Sequence, residues 1–171
     1  MKPAPKNVCE ESTFRGLFKD LGLGLRNFLY YKTGDAQQAE DLAQEAFLKL
    51  WKACARVAPA KAKSFLFTVA NNLFLDQVKH QKVVLHFQKQ AKVASSTIES
   101  PEYLYEKDEF QQRLEKAIAN LPEKNRIVFL MNRIDKLTYQ EIADRLGISK
   151  KAVEKRMSKA LVELRVLNQK I

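Results

Sequence analysis

The stretch LTYQEIADRLGISKKAVEKRMSKALVEL, Leu137 to Leu164, leaves its backbone little choice. Thr138 is followed three residues later by Glu141, the spacing of a capping box. The hydroxyl accepts a first-turn amide while the carboxylate reaches back to the cap's own amide. A short helix therefore starts at Thr138, with Ile142, Ala143 and Leu146 as its apolar edge. Gly147 stands where a helix end favours positive φ, which glycine reaches without a Cβ clash. Ser149 can cap a second helix, in which Val153, Met157, Ala160, Leu161 and Leu164 recur at the spacing of one buried face. Its other side carries Lys150, Lys151, Glu154, Lys155, Ser158 and Lys159. Small Ala143 lets the helices approach and Ile148 plugs the corner. This is helix-turn-helix geometry, whose second helix enters a DNA major groove.

The rest of the chain is punctuated for helices too. Five glycines and five prolines in 171 residues, with no strand-like alternation, predict an all-α fold. Phe14, Leu17, Phe18, Leu21, Leu25, Phe28 and Leu29 form the inner stripe of a first helix that breaks near Thr33 and Gly34. Asp35 with Gln38 resembles a second capping box. It opens a helix, running to about Arg56, whose Leu42, Ala43, Ala46, Phe47, Leu50 and Cys54 share a face. ARVAPAKAK reads as a basic loop. A third helix is expected from about Ser64 to Lys82, with Leu66, Val69, Ala70 and Leu73 turned inward.

Periodicity fades over 85–99, LHFQKQAKVASSTIE, which reads as a linker between two small helical domains, 1–84 and 100–171. Ser100 and Pro101 supply a cap and first-turn proline for the next helix, which Pro122 ends after Leu121. Another begins around Glu123.

Charge is distributed unevenly along this plan. The net charge of +10 is concentrated in residues 52–93, with eight basic and one acidic group, and 149–171, with seven and two. Between them, residues 94–123 carry seven acidic groups and three basic. Two basic blocks parted by an acidic one fit two nucleic-acid surfaces. No apolar run spans a bilayer and the N-terminus lacks a secretory core, so the expected location is cytoplasmic. Cys9 and Cys54 are isolated, so reduced thiols are expected, without zinc spacing. His80 and His86 have no evident nucleophile or metal partner, so neither an enzyme, a metal site nor a cofactor is expected.

Two polar faces remain on the N-terminal helices. Asp41, Glu45, Leu48 and Lys52 lie together on the second helix, away from its core stripe, leaving a leucine among charges. Thr68, Asn72, Asp76 and Lys79 form a stripe on the third, beside Phe65, Phe67 and the basic loop holding Lys61 and Lys63. Amides, a carboxylate and a lysine can read base edges, and aromatics can stack on unpaired bases.

AEDLAQEAFLKLW, then SFLFTVANNLFLDQVKHQK, then LPEKNRIVFLMNRIDKLTYQEIADRLGISKKAVEKRMSKALVELR together resemble the extracytoplasmic-function sigma factors, initiation subunits of bacterial RNA polymerase in the sigma-70 family. The resemblance runs over roughly 10–168. It implies that domain 1–84 is region two, binding core polymerase and melting the minus-ten element, and that domain 100–171 is region four, binding the minus-thirty-five duplex. The polymerase-binding motif falls on Asp41, Gln44, Glu45, Phe47, Leu48 and Trp51. Minus-ten reading falls on Lys61, Lys63, Phe65, Phe67, Asn71, Asn72, Asp76 and Lys79, with the loop from Val57 to Lys63 holding a flipped base. Minus-thirty-five reading falls on Ser149, Lys150, Lys151, Glu154, Lys155, Arg156 and Lys159.

The chain departs from the family's pattern at Phe65, where tryptophan is frequent, and at Thr68, where arginine is frequent. Implied partners are promoter DNA, core RNA polymerase through its largest-subunit clamp helices and its flap, and an anti-sigma factor of the kind that is often membrane-linked. The alternative from the C-terminal half alone is a stand-alone helix-turn-helix regulator that binds operator duplex without polymerase. It leaves the first basic block idle.

Overall fold

The computed structural model describes residues 7–88 and 109–168, and the regular structure among them is all helical. Three long helices come first: α1 (Glu11–Thr33), α2 (Ala36–Lys52) and α3 (Ala62–Gln88), with a single 3-10 turn, Pro59–Lys61, before the third. Four follow: α4 (Glu109–Asn120), α5 (Glu123–Arg133), α6 (Tyr139–Leu146) and α7 (Lys150–Asn168).

Local chemistry sets most of these boundaries. Gly34, at φ 71°, ends α1 and donates its N–H to the Tyr30 carbonyl at 2.8 Å. Asp35 then caps α2 by accepting from the Gln38 amide at 2.8 Å. Gln38 does not complete the box from its side chain. Its amide group instead donates to Gln77 Oε1 at 2.9 Å, tying α2 to α3. The box at α6 closes in both directions, between Thr138 and Glu141, and Gly147 ends that helix at φ 64°. Ser149 Oγ accepts from the Ala152 amide at 3.1 Å, as a cap for α7 should. Arg126 reaches back to the Ala119 and Leu121 carbonyls at 2.9 and 3.2 Å, satisfying acceptors at the end of α4.

Several expectations need correction. The second helix stops at Lys52 rather than Arg56, because the chain turns at Ala53 and Cys54. Cys9 and Cys54 are not free thiols: they form a disulfide, Cα to Cα 5.0 Å, across 45 residues. Separation along the chain conceals this pairing, since only the return of α2 toward the start of α1 brings the two together. The third helix continues to Gln88, so residues 85–88 are helical rather than linker. No glycine or proline interrupts it there. The remaining linker, 89–99, and the start expected at Ser100 and Pro101 lie outside the described residues.

Leu25, Leu29, Ala46, Leu50, Leu66 and Ala70 fill the space between α1, α2 and α3, and Val8 is fully buried beside them. Val128, Met131, Ile142, Val153, Met157 and Ala160 do the same for α5, α6 and α7. The two halves do not stand apart. Their buried residues form one contiguous cluster, with α5 and α6 laid against α1 and α3.

Polar contacts cross that seam. Asn27 Nδ2 and the Tyr31 hydroxyl both donate to Asp135 Oδ1, at 2.8 and 3.0 Å. Lys32 Nζ, its side chain 6% exposed, pairs with Glu123 at 2.7 Å and sits over the Phe28 and Phe74 rings. Burying this ammonium is tolerable because a carboxylate and two ring faces replace water.

Candidate functional site

The face opposite the buried stripe of α2 belongs to a surface built from two helices. Asp41, Gln44, Glu45, Leu48 and Trp51 are exposed, with Leu48 at 58% and Trp51 at 45%. Phe47 is buried and supports them from beneath, its ring 4.9 Å from that of Phe18. Trp51 is held edge-on by Phe14, with ring centroids 4.9 Å apart. Sequence reasoning missed half of this face. Phe18, expected in the core stripe, is 53% exposed, and Leu23 on the same helix is 68% exposed. With Gly22, Arg26, Glu40 and Gln44 they line a groove of about 320 Å³ between α1 and α2. The available signal was Leu23 itself, an apolar residue out of phase with the stripe of Leu21, Leu25 and Phe28.

On α3 the polar stripe falls where expected. Thr68, Asn72, Asp76 and Lys79 are exposed, and so are Lys61 and Lys63 at its N-terminal approach. Asn71 and Phe65 are half-buried. Phe67 differs: only 2% exposed, it packs 5.3 Å from the Phe28 ring with the Arg145 guanidinium 5.6 Å above it. In this arrangement Phe67 is a core residue, not an available stacking platform. The phase of α3, set by Leu66 and Ala70, turns it inward.

The outer side of α7 presents Ser149, Lys150, Lys151, Glu154, Lys155 and Lys159 to solvent, while Val153 and Met157 are buried on the other side. Arg156 departs from this face. It is half-buried and, together with Thr68 and Asn71 of α3, lines a cleft between the two halves of the molecule. Two titrations mark the supporting structure. Hydrogen bonds from the Thr138 amide and hydroxyl hold the Glu141 carboxyl below its usual range. Burial, reinforced by Asp135, pushes the Tyr31 phenol well above its ordinary value. Among the described residues, no cluster of three or more His, Cys, Asp or Glu could hold a metal ion. No described helix is long and apolar enough to cross a membrane.

Both faces lie in segments with known relatives. Residues 17–83 match the family described as Sigma-70 region 2, and residues 111–164 match Sigma-70, region 4. The ferric citrate uptake sigma factor FecI of Escherichia coli is 30% identical over 87% of this chain and 87% of its own. The ECF RNA polymerase sigma factor SigL of Mycobacterium tuberculosis is 29% identical over 96% of this chain and 93% of its own. The same fold occurs in the sigma factor RpoE of Bartonella quintana, solved in complex with the anti-sigma factor NepR. That likeness has a TM-score of 0.63 at 22% identity and covers 91% of this chain and 96% of that one.

The chain belongs to the sigma-70 family, among its extracytoplasmic-function members. Such a factor is a non-catalytic initiation subunit that gives RNA polymerase its promoter specificity. A stand-alone operator-binding regulator is not favoured, since it would leave the region 2 segment without a role.

Proposed function

We propose that the chain divides polymerase binding and promoter recognition between three of its faces, with residues 1–84 acting as region two and 100–171 as region four. The exposed face of α2, with Asp41, Gln44, Glu45, Leu48 and Trp51 at its surface, Phe47 beneath and the α1–α2 groove beside it, takes the clamp helices of the polymerase largest subunit. Apolar Leu48 and Trp51 supply burial, and the carboxylates supply orientation and a faster encounter. The stripe of Asn71, Asn72, Asp76 and Lys79, approached by Lys61, Lys63 and Phe65, reads the minus-ten element as an opened strand. The outer side of α7 reads the minus-thirty-five element as duplex, where lysines contacting phosphate give affinity and side chains at base edges give preference. The C-terminal half also meets the polymerase flap.

The carrying observation is that α2 and α7 expose their chemistry on separate surfaces while burying their apolar sides in one core. Unstacking or flipping a base costs a few kcal/mol, so polymerase contacts must assist melting by a protein of this size. An anti-sigma factor that covers the α1–α2 groove would silence the chain in the cytoplasm. The test is retention of core polymerase by the immobilised protein, followed by run-off transcription. Promoter-specific transcripts dependent on the added protein are expected. Duplex binding without polymerase retention would mark a stand-alone regulator instead.

A further inference from the structure

We infer that Cys9 and Cys54 form a redox-controlled site whose disulfide, when closed, holds the polymerase-binding face of α2 in its assembled form. The bridged chain binds core polymerase, and the dithiol chain binds it more weakly. This deepens the reading of the α2 face given above and rests on it.

The bond joins the two places on which that face depends. Cys9 stands just before α1, next to fully buried Val8. Glu10, the N-cap of α1, makes no side-chain cap hydrogen bond, so the helix start lacks the local anchor that Asp35 and Thr138 give α2 and α6. Cys54 lies in the turn after α2, its amide donating to the Trp51 carbonyl at 3.2 Å. The bridge therefore ties the first turn of α1, which carries Phe14, to the last turn of α2, which carries Trp51. Those two rings meet edge-on. With Phe18, Phe47 and Leu48 they line a second apolar hollow of about 320 Å³, on the face assigned to polymerase. The turn at Cys54 also begins the segment that leads to the basic loop, where Pro59 lies against Ser12, Thr13 and Gly16 of α1.

Opening the bond leaves the Phe14–Trp51 contact on an uncapped helix start, the kind of end that frays. It also returns to the chain the freedom that closing a 45-residue separation removes.

The setting favours a reversible bond over a permanent one. A polymerase subunit works among small thiols that keep most cysteines reduced, and disulfides formed in such surroundings are mostly transient or redox-sensing. Both cysteines are half-buried rather than sealed in the core, which leaves them within reach of a small disulfide or thiol. They are also the chain's full complement, so no third thiol competes. Closure needs a low-molecular-weight disulfide as oxidant. One cysteine thiolate attacks it, forming a mixed disulfide and expelling the first small thiolate. The second cysteine thiolate then attacks the protein-bound sulfur, closing the bridge and expelling the second. The chain loses two electrons and two protons, which the two small thiols carry away.

The test places the full chain in glutathione buffers running from mostly reduced to mostly oxidised, with alkylation and mass spectrometry counting bridged molecules. The bond should open and close reversibly across the series while circular dichroism shows helicity retained. Each form is then purified and mixed with core polymerase in one degassed, thiol-free buffer. Where about one dithiol molecule in ten keeps the face assembled, that form should bind core about tenfold more weakly than the bridged one. Cys9→Ser, which leaves α2 untouched, should match the dithiol form; if its helicity falls, the two wild-type forms carry the comparison. A bond that withstands excess reduced glutathione, or a dithiol form that loses its helicity, marks a permanent staple and overturns the proposal. So does a dithiol form that binds core as well as the bridged one. The bridged Asp41→Lys/Leu48→Glu variant separates the two readings. If it binds core like bridged wild type, the assignment of the α2 face fails; if it has lost binding while the two wild-type forms bind alike, the redox site fails.

Discussion

Tyr31, on α1, donates its hydroxyl to Asp135, 104 residues later in the turn after α5, at 3.0 Å. Burial first, then the hydrogen bond and the negative charge of Asp135, raise the phenol's pKa well above its ordinary 10.0. The sign follows from the raised value. The stabilisation is fully present below pH 10.0 and is lost as pH rises toward the folded-state value, because the separated chain ionises first. Ultraviolet absorbance of phenolate should show an alkaline phase above pH 10 that Tyr31→Phe lacks, accompanied in the wild type by separation of the two halves. An identical titration in the two proteins would contradict this.

The α2 face offers a second expectation. Asp41 and Leu48 are both exposed, so Asp41→Lys with Leu48→Glu should abolish binding to core polymerase while leaving helicity and melting temperature nearly unchanged. Competition against the wild type for limiting core measures it. Undiminished competition by the variant rejects the assignment.

Asn72 and Asp76 lie one turn apart on the exposed side of α3. Alanine at both should reduce opening of the minus-ten region more than it reduces binding to core. Permanganate reactivity of unpaired thymines reports opening, and a wild-type pattern from the double variant would remove these residues from the reading stripe.

How much of this was legible beforehand depends on the range of the interaction. The caps at Thr138 and Ser149, the glycine at 147 and the buried stripe of α7 all follow from residues within two turns of each other, and the structure reproduces them. The exposed stripe of α3 was legible for the same reason. The seam between the two halves was not, because Asn27 and Asp135 are 108 residues apart and neither has a local pattern that names the other. The Cys9–Cys54 disulfide was hidden in the same way. Phe18 and Phe67 show a subtler limit. Both are aromatic and both lie near the edge of a stripe, yet one is exposed and the other buried, which depends on the neighbour each meets.

At α6, the cap itself is open to titration. Thr138 lowers the Glu141 pKa from 4.5, so the capping contribution is present above that value and is lost as pH falls below it. Glu141→Gln should leave the C-terminal half folded at neutral pH and make its stability less dependent on pH in the acid range. Thermal melts followed by circular dichroism between pH 3 and 7 check this. Parallel curves for variant and wild type would assign the acid sensitivity to another group.

The division of labour between the two basic surfaces is the central claim, and Lys155 and Lys159 expose it most directly. Both are solvent-exposed, whereas Val153 on the same helix is fully buried, so Val153→Asp should unfold the C-terminal half by placing an unpaired charge in its core. Lys155→Ala/Lys159→Ala should instead fold normally and flatten the dependence of log K on log salt by about 0.9 for each phosphate the variant no longer neutralises. The decisive measurement is transcription by the lysine-variant holoenzyme on two matched templates, one fully duplex and one already melted at the minus-ten element. Loss of upstream recognition on the duplex with near-normal initiation from the melted template is the predicted result. Equal loss on both would mean that the two surfaces do not act as separate readers.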